Sequence, residues 1–140
     1  MIVLDTNVIS EMTKQAPSPA VEAWLDAQPR ETLFITAITI AEMGLGIATM
    51  PEGRRRVALE DALAGTSAFF ADRILSFDER AARAFINLAS LARNSGRGFP
   101  TPDGYIAAIA AAHGYAVAKR DTAPFIAGGV NVINPWDFAA

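Results

Sequence analysis

Apolar residues follow two alternating patterns along this chain. Short runs of consecutive apolar residues occur around 1–5, 33–35, 73–75, 116–118 and 130–133. Such runs are typical of strands that are buried on both faces of a parallel sheet. Between them, apolar residues recur every three or four positions, which predicts helices over about 8–12, 19–26, 37–50, 54–70, 77–94 and 102–113. The alternation predicts an α/β fold with a central parallel sheet of four or five strands.

The last two predicted helices have recognisable boundaries. Ser76 and Glu79 form a capping-box pattern, which predicts that the Ser76 hydroxyl caps the helix that follows. Residues 95–98 contain two glycines and predict the end of that helix. Thr101 and Pro102 are typical of an N-cap and a first helical residue, and they predict the start of the next helix.

Composition narrows the class of protein. The chain has 140 residues, of which 51% are hydrophobic and 19% charged, so we expect one folded domain over 1–140. No apolar stretch reaches the roughly 18 residues of a membrane span, and the N-terminus lacks a signal peptide. Cysteine is absent, which excludes disulfides and thiolate metal sites. The sequence therefore predicts a cytoplasmic protein with no membrane partner.

Four acidic residues lie beside the predicted strands or helix starts, where parallel topology brings them to one edge of the sheet. They are Asp5, Glu42, Asp103 and Asp121. Open parallel sheets bind their ligands at this edge. Carboxylates gathered in an apolar setting raise one another's pKa, so such a cluster stays ionised mainly when cations neutralise it. Oxygen ligands without His or Cys suit Mg²⁺ or Mn²⁺, which can activate water for phosphodiester hydrolysis.

The net charge of −3 by itself argues weakly against nucleic-acid binding. Divalent ions bound by the four acids would neutralise the negative charge of the pocket, so that a phosphate group of a nucleic acid could bind there.

Local roles remain open for the first two acids. Asp5 can be a turn residue whose carboxylate accepts hydrogen bonds from nearby backbone N–H groups. Glu42 lies three residues after Thr39, and this spacing is itself a capping-box pattern.

Local roles also remain open for the other two acids. Asp103 can be a first-turn acid that the helix dipole favours. Asp121 can be a solvated partner of the adjacent Arg120. Neither acid indicates a metal site by itself, and the prediction depends on the four acting together.

Four segments of the chain together resemble a PIN-domain protein, in particular the VapC-like toxins of bacterial toxin–antitoxin pairs and their FitB-like branch. The segments are MIVLDTNVISE, TIAEMGLG, TPDGYIAAIA and AKRDTAPF with the following GVNVINPW, in this order across essentially the whole chain. The resemblance implies a three-layer α/β/α fold. It also implies a Mg²⁺- or Mn²⁺-dependent endoribonuclease toxin that acts on RNA such as tRNA or ribosomal RNA.

The same resemblance implies partners and a cleavage chemistry. Such proteins commonly form homodimers and are held inactive by a small VapB-like antitoxin, whose DNA-binding half lets the complex repress its own operator. A metal-activated water would attack the phosphorus in line. The products would then carry 5′-phosphate and 3′-hydroxyl ends, since the ribose 2′-hydroxyl is not the nucleophile.

The resemblance also assigns candidate residues. The family's acidic metal ligands match Asp5, Glu42, Asp103 and Asp121, and the candidate supporting residues are Thr6, Asn7, Lys119 and Arg120. Many relatives have a small hydroxyl residue where this chain has Lys119. We expect Lys119 either to neutralise Asp121 or to contact a substrate phosphate.

Two other functions remain open from the residues. A phospho-accepting receiver domain also gathers acids and Mg²⁺ at a sheet edge and uses a late Lys, but it needs an acceptor Asp that the segment LFITA does not provide. A non-catalytic PIN-fold module would act through antitoxin or RNA binding alone, and cleavage of RNA by the purified chain distinguishes it from an enzyme.

Overall fold

Five parallel strands form one sheet at the centre of the molecule in a computed structural model of the chain, which describes residues 1–94, 96, 101–122, 125 and 129–139. The strand order is β3-β2-β1-β4-β5. The strands are β1 (Ile2–Leu4), β2 (Leu33–Thr36), β3 (Ile74–Leu75), β4 (Ala116–Ala118) and β5 (Val132–Ile133). All four strand pairs are parallel, which confirms the predicted sheet.

Helices connect the strands in the predicted order. In the described part of the chain they are α1 (Thr6–Met12), α2 (Pro19–Asp26), α3 (Ala37–Ala48), α4 (Arg54–Phe69), α5 (Glu79–Asn94) and α6 (Thr101–His113). Short 3₁₀ turns occur at Arg30–Thr32 and Pro135–Asp137. The first helix begins two residues earlier than the pattern predicted, because the carboxylate of Asp5 occupies its N-cap position.

Alternate side chains of the central strand enter two separate cores. Val3 packs on one face of the sheet with residues of α5 and α6, including Leu88 and Ile106. Leu4 packs on the other face with residues of α1 and α2, including Val8. Helices therefore cover both faces of the sheet, and the predicted three-layer α/β/α fold is confirmed.

The helix boundary at α5 differs from the prediction. The Asp78 carboxylate, not the Ser76 hydroxyl, accepts a hydrogen bond from a backbone N–H of the first turn, that of Ala81, at 2.9 Å. The Glu79 carboxylate pairs with Arg83 at 2.8 Å instead of reaching back to a capping residue. Because the helix begins at Glu79, Ser76 lies too far upstream to cap it.

Two further boundary predictions are only partly described. The end of α5 at Asn94 agrees with the prediction, while Ser95 and residues 97–98 lie outside the described residues. Helix α6 begins at Thr101, close to the predicted start, and the side chain of Thr101 also lies outside the description. Among the described residues, no helix combines the length and the apolar character needed to cross a membrane.

Candidate metal centre

Asp5, Glu42 and Asp103 line a single pocket of about 390 Å³ at the carboxyl edge of the sheet. Three different elements position them. Asp5 follows the central strand β1, Glu42 lies in the second turn of α3, and Asp103 lies in the first turn of α6. The parallel order of the sheet brings these starts of helices together, as the sequence predicted.

Asp5 is buried at the bottom of this arrangement. Its side chain is 3% exposed, and the backbone N–H of Asn7 donates to its Oδ2 over a long distance of 3.4 Å. Among the described residues, its Oδ1 is buried without a hydrogen-bond partner. Burial raises the pKa of Asp5 to about 6, although the positive charge of Lys119 opposes the rise. A local turn role thus accounts for one carboxylate oxygen of Asp5 and leaves the other unexplained.

Glu42 is held in place by a hydroxyl from α1. The Thr6 Oγ1 donates to the Glu42 Oε1 at 2.7 Å, and it also lies 3.0 Å from the hydroxyl oxygen of Thr39. The N-cap of α3 is Thr36, whose hydroxyl accepts the Thr39 backbone N–H at 3.2 Å. The capping-box interpretation of Glu42 is therefore wrong, and Thr6 orients the Glu42 carboxylate, while its supporting role in the site stays a prediction.

Asp103 forms an ion pair with a buried lysine. The Lys119 Nζ lies 3.6 Å from the Asp103 Oδ2 and 3.7 Å from the ring centre of Phe125. The Lys119 side chain is 2% exposed, while that of Asp103 is 35% exposed. Both expected roles of Lys119 are wrong, because it pairs with Asp103 and not Asp121, and because it is too deeply buried to touch a substrate phosphate.

Asp121 does not line this pocket. Its side chain is exposed, although it lies only three residues beyond the end of β4. No ion pair joins it to Arg120 where the structure describes the two, since the Arg120 guanidinium lies over the Trp136 ring at 5.3 Å. The structure brings together three of the four predicted acids, and the metal role of Asp121 stays a prediction.

Sequence reasoning missed four residues that line the same pocket, namely Ser10, Glu11, Lys14 and Trp136. Glu11 accepts hydrogen bonds from the Lys14 ammonium at 2.8 Å and from the Ser18 backbone N–H at 2.9 Å, and these bonds lower its pKa. The sequence could have indicated Glu11 through its position on α1, because it lies one helical turn after Asn7 and on the same face. No pattern in the sequence distinguished Trp136 from a core aromatic residue.

The chemistry of the pocket fits a hard divalent cation. Asp5 Oδ1 and Asn7 Oδ1 are both buried oxygens without a hydrogen-bond partner among the described residues, and oxygen is the ligand that Mg²⁺ and Mn²⁺ prefer. As the side chains stand, the described residues hold no group of three Asp, Glu, His or Cys close enough to bind one ion. Ion binding therefore requires these carboxylates to move closer together than they stand here.

A second, apolar pocket lies on the opposite side of α1. This apolar groove has a volume of about 610 Å³ and is lined by residues that include Ile9, Met12, Leu25, Phe69 and Phe70. Met12 and Phe69 are 40% and 42% exposed, which is high for such large apolar side chains. The groove and the acidic pocket share no lining residue and are separated by α1.

Comparison with known proteins places these features in a family. Residues 2–127 match the PIN domain. The VapC ribonuclease Y4jK of Sinorhizobium fredii is 51% identical over 138 residues, which cover 98% of this chain and 99% of the relative. Toxin FitB of Neisseria gonorrhoeae is 44% identical over 137 residues, which cover 97% of this chain and 99% of the toxin.

Solved structures agree with the sequence relatives. A structure of FitAB bound to the IR36 DNA fragment superposes with a TM-score of 0.93 at 42% identity, covering 100% of this chain and 99% of the other. FitAcB from Neisseria gonorrhoeae gives a TM-score of 0.92 at 43% identity, over 99% of this chain and 100% of the other. VapBC2 from Rickettsia felis, bound to a DNA fragment from its promoter, shares the fold at 18% identity with a TM-score of 0.80, over 96% and 98% of the two chains.

Proposed function

This chain belongs to the PIN domain family, and from that premise we propose that it is a ribonuclease toxin of a toxin–antitoxin pair. The observation that carries the proposal is the pocket lined by Asp5, Glu42 and Asp103, which lies at the ligand-binding edge of the sheet. Its relatives of nearly equal length include a ribonuclease and a toxin. Membership of this family leaves no place for the receiver-domain alternative.

We propose Mg²⁺ or Mn²⁺ as the cofactor and Asp5, Glu42 and Asp103 as the residues that hold it. When bound, the ion supplies Lewis-acid activation of a water and stabilises negative charge on the phosphate. Asp5 Oδ1 offers a buried oxygen with no other partner among the described residues, and Thr6 keeps Glu42 directed by its hydrogen bond. In Asp103, one oxygen pairs with Lys119 and the other is available to the ion.

The other residues of the pocket suit a phosphodiester chain. The guanidinium of Arg120 lies over the ring of Trp136 at the pocket, where it can contact a phosphate beside the scissile one. Asn134 fixes this pair, because its amide donates to the Arg120 carbonyl at 3.2 Å and accepts the Trp136 backbone N–H at 3.0 Å. RNA is therefore the proposed substrate, and water activated at the ion is the proposed nucleophile.

Removal of the metal is expected to stop cleavage completely. We expect purified chain, separated from its partner, to cut total cellular RNA into discrete fragments in Mg²⁺ or Mn²⁺. Excess EDTA should abolish the fragments, because the carboxylates by themselves cannot activate water. End-labelling of the fragments should show 5′-phosphate and 3′-hydroxyl ends, since water and not the ribose 2′-hydroxyl attacks.

Addition of Mg²⁺ beyond the EDTA concentration is the control, and it should restore the same fragments. Cleavage that persists in EDTA contradicts the metal proposal. If folded chain gives no fragments with either metal, the non-catalytic alternative replaces the enzyme, and the protein acts through binding of antitoxin or RNA.

We propose that the partner is a VapB-like antitoxin and that a segment of it occupies the apolar groove. Solved relatives are complexes, named FitAB and VapBC, and some of them are bound to DNA. Operator DNA is then reached through the antitoxin. Because only α1 separates the groove from the acidic pocket, one peptide that crosses α1 can fill the groove and block the pocket.

Phe69→Ser tests this groove directly. Burial of a Phe side chain contributes about 1.5–3 kcal/mol, so we expect the variant to bind the antitoxin roughly 10- to 100-fold more weakly. RNA cleavage by the free chain should not change, since Phe69 does not line the acidic pocket. Titration calorimetry with the purified antitoxin gives the affinity.

Val57→Ser is the matched control, because Val57 is an exposed apolar residue of the same helix α4 outside the groove. The groove assignment is wrong if the two variants bind the antitoxin equally well.

The proposal also covers the domain organisation, the cellular location and the oligomeric state of the protein. Residues 1–140 act as one domain, of which the PIN match covers 2–127. The toxin acts in the cytoplasm, where its RNA substrates are. The free chain forms a homodimer, and light scattering during gel filtration measures its mass.

A further inference from the structure

Lys119 is confined by the fold and cannot reach solvent. Its backbone N–H donates to the Ile133 carbonyl at 2.9 Å, directly after β4, so its main chain is part of the sheet. Its side chain is 2% exposed. An ammonium group in such a place is stable only if nearby acids or ring faces compensate for the water that it has lost. Here the compensation comes from the Asp103 carboxylate and the Phe125 ring.

The other cationic side chains at the pocket, Lys14 and Arg120, contact groups other than the proposed metal ligands. Lys14 is 58% exposed and pairs with Glu11 at 2.8 Å, while Arg120 lies over Trp136. Lys119 is the buried cation whose charge acts on both Asp103 and Asp5, and its effect on Asp5 is to lower the pKa of that carboxyl. It therefore neutralises part of the acidic pocket before any metal arrives.

Charge balance limits how many metal ions this pocket takes. Asp5, Glu42 and Asp103 carry three negative charges when all are ionised. One divalent ion and the Lys119 ammonium balance these charges. A second divalent ion would lie close to the ammonium and would need Asp103 Oδ2, which Lys119 already engages at 3.6 Å. Asp121 is exposed and does not line the pocket, and the fourth acid that does line it, Glu11, is already neutralised by Lys14 at 2.8 Å.

We propose that the Lys119 ammonium takes the place of a second metal ion, so that each chain binds one divalent cation in the acidic pocket. Lys119 is a positioning residue in this scheme, since it is buried behind the acids and does not touch the substrate. It holds Asp103 by one oxygen and supplies the positive charge that a second ion would supply. The inference rests on the proposed metal site of Asp5, Glu42 and Asp103.

Counting of bound Mn²⁺ tests the inference without any RNA. Electron paramagnetic resonance of free Mn²⁺ during a titration gives the number of ions bound per chain. We expect one ion for the wild type. For Lys119→Met, which keeps the unbranched shape of the side chain and removes its charged end, we expect two ions, or one ion bound at least tenfold more tightly.

Arg83→Met is the control, since it removes one positive charge from an exposed residue of α5 that pairs with Glu79 and does not line the pocket. We expect this variant to bind one ion with the wild-type affinity. An equal change in Lys119→Met and Arg83→Met would overturn the inference, because it would reflect only the total charge of the chain. An unchanged count and affinity in Lys119→Met would overturn it as well.

The wild-type count separates this inference from the proposed function. Two ions per wild-type chain overturn the role of Lys119 and leave the metal proposal intact, whereas no bound ion overturns both. Loss of Lys119 leaves Asp5 and Asp103 uncompensated, so the variant can unfold in EDTA. In that case we expect it to refold on addition of Mn²⁺, which circular dichroism can measure. Failure to refold with Mn²⁺ contradicts the inference that a metal ion can replace the Lys119 ammonium.

Discussion

Asp103→Asn is expected to reduce RNA cleavage strongly and to leave the fold in place. We expect the rate to fall by roughly 10²- to 10³-fold, because the loss of a metal ligand forfeits several kcal/mol of transition-state stabilisation. We expect the fold to persist because Asn has nearly the same shape as Asp and because the Phe125 ring and the Asp5 carboxylate still compensate the charge of Lys119. Single-turnover cleavage of a purified RNA, together with thermal unfolding, measures both properties.

Asp61→Asn is the control for this result. Asp61 is an exposed residue of α4, and its substitution changes the charge of the chain by the same amount. We expect it to cleave at the wild-type rate, so that the loss of activity in Asp103→Asn, purified in the same way, excludes a contaminating nuclease. Cleavage by Asp103→Asn at the rate of Asp61→Asn would remove Asp103 from the proposed site.

Asp5→Asn is expected to stabilise the metal-free protein at neutral pH while it abolishes cleavage. Burial raises the pKa of Asp5 to about 6, whereas the ordinary value is 3.8. Each unit of such a difference corresponds to about 1.4 kcal/mol. An ionised Asp5 therefore lowers the free energy of unfolding by up to ~3 kcal/mol at pH 7, and the neutral amide avoids this cost.

The sign of the pH dependence follows from proton binding. Between pH 3.8 and about 6, the folded state holds a proton on Asp5 that the unfolded state has released. Stability from this group is thus fully present below the unfolded pKa and is lost as the pH rises through about 6. Urea denaturation in EDTA at several pH values should show this loss in the wild type and not in Asp5→Asn.

Bound metal should reverse the order of stability, so that the wild type becomes more stable than Asp5→Asn. A divalent ion binds only the folded state and neutralises Asp5, so saturating Mn²⁺ should stabilise the wild type more than Asp5→Asn. If the free energy of unfolding of the two proteins depends on pH in the same way in EDTA, ionisation of Asp5 does not destabilise the fold. An Asp61→Asn profile, measured in the same buffers, controls for the general change in charge.

Most of the fold follows from local patterns. The apolar runs predicted each of the five strands, and the three- to four-residue periodicity predicted each described helix to within about two residues. Local patterns were less reliable at helix caps, where Ser76 and Asp78 both offer a suitable oxygen. The tertiary structure selects Asp78 because the helix begins at Glu79.

The sequence indicated which acidic residues form the candidate site and at which edge of the sheet they lie. Asp5 follows β1, while Glu42 and Asp103 lie in the first two turns of helices. Because the parallel topology fixes the direction of these elements, their common pocket could be expected from the sequence. Glu11 and Trp136 could not be recognised, because their spacing suits an ordinary helix face and a core aromatic residue equally well. Their place in the pocket depends on how α1 and the last 3₁₀ turn pack against the sheet.

The sequence by itself determined the α/β alternation, the acids at the sheet edge and the absence of thiolate chemistry, because these depend on residue type and short-range spacing. Only the tertiary structure decided the partner of each charge. Lys119 lies two residues from Asp121 in the chain, yet it pairs with Asp103, which is sixteen residues away. The buried Lys119 side chain extends to the pocket that Asp103 lines, while Asp121 faces solvent. Electrostatic energy depends on distance and burial, and neither is encoded in the local order of residues.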